Sequence, residues 1–119
     1  SLNMKKIFSL IPLAVVMMLS TTAKASADTP GMSWTWRDSK LSHNQCVDKA
    51  ENAIRDAGFG NNVEVVGTAP DNSIFGTNDD YRAAIRCVTD KKIVLFLVTG
   101  DGSDSGKLQR RLVNSFIGK

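Results

Sequence analysis

Apolar and polar positions change period several times along the chain, and each change marks an element. Met32, Trp34 and Trp36 alternate with Ser33, Thr35 and Arg37, the two-residue period of a short strand with one apolar face. The period then lengthens. Cys46, Val47, Ala50, Ala53, Ile54 and Ala57 form one stripe of a 3.6-residue helix, with Asp48, Lys49, Glu51, Arg55 and Asp56 largely off it. Two devices mark the start of this helix. Ser42 stands at the cap with Gln45 three residues on, and Leu41, just before the cap, faces Cys46 at the fourth helical position. Gly58 supplies the stop. Small residues dominate the stripe, so the helix can lie close to whatever it covers.

Val63 to Thr68 reads as a second strand, bounded by Asn61-Asn62 and by Ala69-Pro70-Asp71-Asn72. Ile74 to Thr77 is weaker, either the far arm of a hairpin or an extended loop. After a turn at Asn78-Asp79-Asp80, Tyr81, Ala83, Ile85 and Cys87 alternate with Arg82, Ala84, Arg86 and Val88, a half-buried strand. Ile93 to Val98 shows no polar alternation, which predicts a strand covered on both faces or central in its sheet. Gly100 to Gly106 is a linker, and a last helix from near Asp104 to near Ile117 gathers Leu108, Leu112, Val113 and Phe116 on one face. The order predicts a small α+β domain of two layers: a mainly antiparallel sheet of four to five strands, with two helices on one face.

Register divides the two central strands into faces. If the hairpin turns through Thr89 to Lys92, Val88 opposes Ile93, and Ala83, Ile85 and Cys87 share the helix-covered face with Val94, Phe96 and Val98. Ala84, Val88, Ile93, Leu95 and Leu97 then lie on the opposite side with Arg82 and Arg86. An apolar patch rimmed by arginines, with no helix left to cover it, is a candidate protein-contact surface. The competing expectations are that the weak strand or the Trp segment folds over it, or that a three-residue turn inverts both faces.

Upstream of the first strand the pattern is of another kind. Lys5 and Lys6 precede Ile7 to Leu19, a run without charge, and Ala25-Ser26-Ala27 supplies the small residues a signal peptidase admits. The run is shorter than the ~20 residues of a bilayer span. Residues 4–27 are therefore expected to be a signal peptide, with an uncleaved tether as the alternative. Residues 1–3, ahead of Met4, are set apart as a remnant or a misassigned start. Residues 28–119 are expected to form a single exported bacterial domain, periplasmic or extracellular.

Export changes the meaning of charge and cysteine. Lys5, Lys6 and Lys24 account for three of the 15 basic side chains, and the 12 that remain balance the 12 acids. A basic footprint for nucleic acid or an anionic membrane is thus not expected after cleavage. In an oxidising compartment Cys46 and Cys87 are expected to bond to each other, tying the first helix to the fourth strand. A C-x-x-C redox spacing is absent, and two thiolates lack the further ligands that zinc takes. No cofactor or metal is implied.

The remaining candidates for chemistry are few. Gly100 to Lys107 fails as a phosphate loop, because Asp101 stands at the first glycine position and Leu108 follows Lys107 where a hydroxyl is required. As a calcium loop it places Leu112 where the bidentate glutamate belongs. His43, the only histidine, falls in the first helical turn beside a cysteine expected to be oxidised and a serine already used as a cap. Asp79 and Asp80 form an acidic pair on a turn, where carboxylates usually serve solvation. Trp34 and Trp36 share a strand face as a candidate aromatic platform, although a domain with few aromatics favours using both indoles in its core. The leading expectation is a non-enzymatic module that binds a protein, whether an inhibitor, an immunity-like factor, an envelope accessory or a second copy of itself. The alternatives are a glycan or small-ligand binder using Trp34 and Trp36 near Tyr81, and a small hydrolase using His43 or the Asp79 and Asp80 pair.

Overall fold

A computed structural model describes residues 29–119. The expected signal peptide, residues 4–27, lies outside them, as do residues 1–3 and Asp28. The described chain runs β1 (Gly31–Asp38), α1 (His43–Asp56), β2 (Asn61–Thr68), β3 (Asp71–Thr77), β4 (Tyr81–Val88), β5 (Ile93–Gly100) and α2 (Ser105–Ile117), with a short 3-10 turn over Thr89–Lys91. The five strands form one antiparallel sheet in the order β1-β5-β4-β3-β2, and both helices pack on the same face. This is the α+β architecture expected from the periodicities.

Local chemistry explains where α1 begins and ends. The Ser42 hydroxyl accepts from the Gln45 N–H at 3.3 Å, and the Gln45 side chain accepts from the Ser42 N–H at 3.1 Å, closing the capping box. At the other end Gly58 takes φ +96°, a conformation that costs a glycine little. Its N–H bonds to Arg55 O and that of Phe59 to Ile54 O, the paired closure of a Schellman motif. Phe59 and Ile54 are both fully buried, so the turn that ends the helix also seals one end of the core.

The core lies between the helices and one sheet face. Ala50, Ala53 and Ile54 of α1 and Leu112, Val113 and Phe116 of α2 close over Ile74, Ile85, Val94, Phe96 and Val98. Each large side chain removed from water here contributes roughly 1.5–3 kcal/mol. Phe96 and Phe116 meet edge to face at 5.3 Å. Cys46 and Cys87 are bonded, with Cα atoms 6.2 Å apart, and both are inaccessible to solvent. The bond fastens α1 to β4, the middle strand.

Two points that the sequence leaves open are settled by the pairing. The weak strand is a full arm, seven residues paired to β2 on one side and β4 on the other. Its pattern is diluted by Gly76, which packing requires: a Cβ there would lie 2.2 Å from Phe59 O and 2.4 Å from Ile54 Cγ2. β5, expected to be covered on both faces or central, sits between β1 and β4 with only one face under the helices. Val94, Phe96 and Val98 are buried, while Ile93, Leu95 and Leu97 are half-buried by neighbouring strands alone.

Candidate functional site: the open face of the sheet

The register assumed for the central hairpin is the one observed, with Val88 opposite Ile93, Arg86 opposite Leu95 and Ala84 opposite Leu97. β1 continues the same rows: Trp36 lies opposite Leu95 and Trp34 opposite Leu97. On the other side Arg86 faces Ser73, and Ala84 faces Phe75. The arginine-rimmed patch and the tryptophan pair, separate features of the sequence, are therefore neighbouring parts of one surface.

The indoles are not core residues. Trp34 is 64% exposed, Trp36 52% and Met32 66%. The reason lies in which side of β1 meets the helices. Ser33 and Thr35 point toward the helical layer, and the Ser33 hydroxyl donates to the buried Gln109 side chain of α2 at 3.1 Å. Their small side chains let α2 approach the edge strand. The amphipathic sense of β1 is thus inverted relative to the domain, with its polar residues inward and its large apolar residues toward water.

Met32, Trp34, Leu95, Leu97, Ala84 and Phe75 line a shallow depression of about 380 Å³, floored by the sheet and bordered by Ser73 and Arg86. Its charged rim is held in place. Arg86 contacts Asp71 at 2.7 Å and Ser73 at 3.3 Å, and the Arg82 guanidinium lies 4.7 Å from the centre of the Phe75 ring. Apolar surface is therefore concentrated over β1 and β5, and the charged and polar groups over β4 and β3.

The other candidates lie elsewhere. His43 is half-buried and bridges three elements: its Nδ1 meets the Thr89 hydroxyl at 2.9 Å and its Nε2 the Asn72 side-chain carbonyl. Asn72 is itself buried and donates to Val66 O at 3.3 Å. Both ring nitrogens are thus engaged in joining α1 to β3 and the β4–β5 turn, and Cys46 is held in the disulfide. Asp79 and Asp80 are exposed on the β3–β4 turn, at the opposite end of β3 from Asn72, so the two hydrolase candidates do not meet. Tyr81 does not flank the tryptophans. It is buried under the helical layer, where its hydroxyl accepts from the Asp104 N–H at 2.9 Å. The Gly100–Gly106 linker folds over that hydroxyl, with Gly102 in close approach. Among the described residues no group of three or more His, Cys, Asp or Glu side chains converges as metal ligands would.

No family model, no curated protein and no solved structure matches this chain.

Proposed function

We propose that this domain is an exported, non-enzymatic module that binds a protein through the open face of its sheet. The observation that carries this is the inverted edge strand: Trp34, Trp36 and Met32 stand in solvent beside Leu95 and Leu97, where folding gains little from them. Exposed aromatic residues beside an apolar patch with an arginine-bearing rim are the composition of a protein-contact surface. The leader-like N-terminus and the buried disulfide support export. No helix among the described residues is long and apolar enough to cross a membrane.

A glycan is the second occupant that the same observation favours, because exposed indoles also stack on sugar rings. The test is recovery of bound material from a native envelope extract by the wild type, by Leu95→Ser and by Trp34→Ala with Trp36→Ala. A specific protein retained by the wild type and lost in both variants supports the proposal. Retention of polysaccharide alone, lost only when the indoles are removed, supports the glycan. Hydrolysis of any polymer in the extract that His43→Ala abolishes would replace both.

A further inference from the structure

Among the described residues the sheet has two edges without a further strand, and they are built differently. The β2 edge is blunted: its register slips between Asn61 and Glu64, and both Asn62 and Gly67 take positive φ. Such irregularities prevent a further strand from adding. The β1 edge has none of them. All eight of its residues keep unbroken register with β5, from Gly31 opposite Gly100 to Asp38 opposite Ile93. β1 contains neither proline nor lysine, and its charged residues, Arg37 and Asp38, are confined to its last two positions.

Backbone direction identifies which groups remain free. The Ser39 N–H bonds to Lys92 O at 2.9 Å, so by alternation Arg37, Thr35 and Ser33 also point toward β5. The N–H and C=O groups of Met32, Trp34 and Trp36 therefore point away from the sheet. Trp36 O points outward accordingly and accepts there from the Arg37 guanidinium at 2.8 Å. The residues with outward backbone are the same ones whose apolar side chains stand on the open face.

We infer that β1 is a strand-addition edge that pairs antiparallel with β1 of a second copy, about a two-fold axis at Trp34. In that register Trp34 faces Trp34 of the second copy, and Met32 faces Trp36 of the second copy. The outward backbone groups of these three residues are then paired, with Trp36 O accepting both from the incoming N–H and from the Arg37 guanidinium it already holds. Ser33 faces Thr35 and Arg37 faces Gly31, so no like charges meet. Pro30, which lacks an N–H, ends the ladder opposite Asp38. A shift of two residues in one direction sets Trp36 against Pro30, and in the other sets Met32 against Asp38. The self-complementary register is thus the one in which apolar residues oppose apolar residues throughout. Because β2 forms both outer edges of the joined sheet, assembly closes at the dimer instead of extending into a filament. The inference is separable from the proposed protein partner, since its hydrogen bonds lie along the edge of the sheet and do not need Leu95, although Trp34 and Trp36 belong to both.

The test is amide hydrogen exchange of the disulfide-bonded protein, with sedimentation equilibrium, between about 10 µM and about 1 mM, the range suited to a small, reversible interface. The amides of Met32, Trp34 and Trp36 are expected to gain about tenfold protection as the mass doubles, while those of Ser33, Thr35 and Arg37 stay protected throughout. Trp34→Lys brings two ammonium groups together at the axis and should abolish the dimer without lowering the melting temperature. Leu95→Ser should leave the dimer intact even where it abolishes partner recovery. A protein that remains monomeric at the upper concentration, with those three amides still exchanging freely, overturns the inference. So does a dimer that survives Trp34→Lys or is lost in Leu95→Ser, either of which places the contact elsewhere than the edge.

Discussion

Ser33 reaches across from the edge strand to Gln109, hydroxyl to side-chain carbonyl at 3.1 Å, and so fastens β1 to α2 through a polar contact. Gln109 is buried, so removing its partner leaves a desolvated oxygen behind. Ser33→Ala is expected to cost about 1–2 kcal/mol in urea unfolding.

Solvent exposure of the indoles separates a binding surface from a core. Replacing both Trp34 and Trp36 with Ser should lower stability by less than about 1 kcal/mol, the scale of lost cross-strand contacts. Core tryptophans would cost about 3–5 kcal/mol each. In the wild type, acrylamide and iodide should both quench the fluorescence efficiently. Protected indoles with a large stability loss would mean that β1 is turned the other way.

Two glycines should respond in opposite senses to alanine. Gly76→Ala drives a methyl group into Phe59 O and Ile54, and about 2 kcal/mol or more of stability should be lost. Gly106 sits in the first turn of α2, where the nearest neighbour of an added Cβ is the Arg110 guanidinium at 3.6 Å. Gly106→Ala should therefore be neutral or stabilise by up to about 1 kcal/mol. Thermal melts of the two variants check both signs.

Removing the disulfide by Cys46→Ala with Cys87→Ala should cost about 4 kcal/mol, on the chain-entropy estimate for a sequence separation of 41. For a domain of this size that is a large share of net stability. The midpoint in urea, measured against the oxidised wild type, reads the loss directly.

The helix start at Ser42 calls for its own measurement, because its cap is exposed and its loss is not confounded by packing. Ser42→Ala should destabilise by about 1 kcal/mol, and Ser42→Asp should restore most of it.

Most of the architecture was legible because it rests on local rules. The capping box, the Gly58 stop, the two-residue period of β4 and the hairpin register each follow from neighbouring residues alone. Tertiary packing hid the rest. Gly76 weakens the pattern of β3 because Phe59 must approach it, and nothing near residue 76 in the chain announces that contact. The exposure of Trp34 and Trp36 is hidden for a related reason. Periodicity shows that they share a face of β1 but not which face the helices cover, and that choice depends on β1 pairing with β5, the most distant strand in sequence. The union of the two candidate surfaces follows from the same pairing. Tyr81 shares the helix-covered face with Ala83 and Ile85, as its own alternation requires, and so lies on the opposite side of the sheet from the tryptophans.

The bond between Cys46 and Cys87 closes a ring that holds most of α1, all of β2 and β3, and nearly all of β4. A protease that nicks the exposed turn at Ala69 and Pro70 leaves both halves covalently attached, poised to close again. A cut among Asp101 to Asp104 has no such safeguard and sets α2 loose from the sheet. Lifetime in a protease-rich environment is therefore governed by the exposed segments outside the ring, the turn at Asp90 to Lys92 and this linker, and tightening those two should prolong survival more than reinforcing a hairpin inside it.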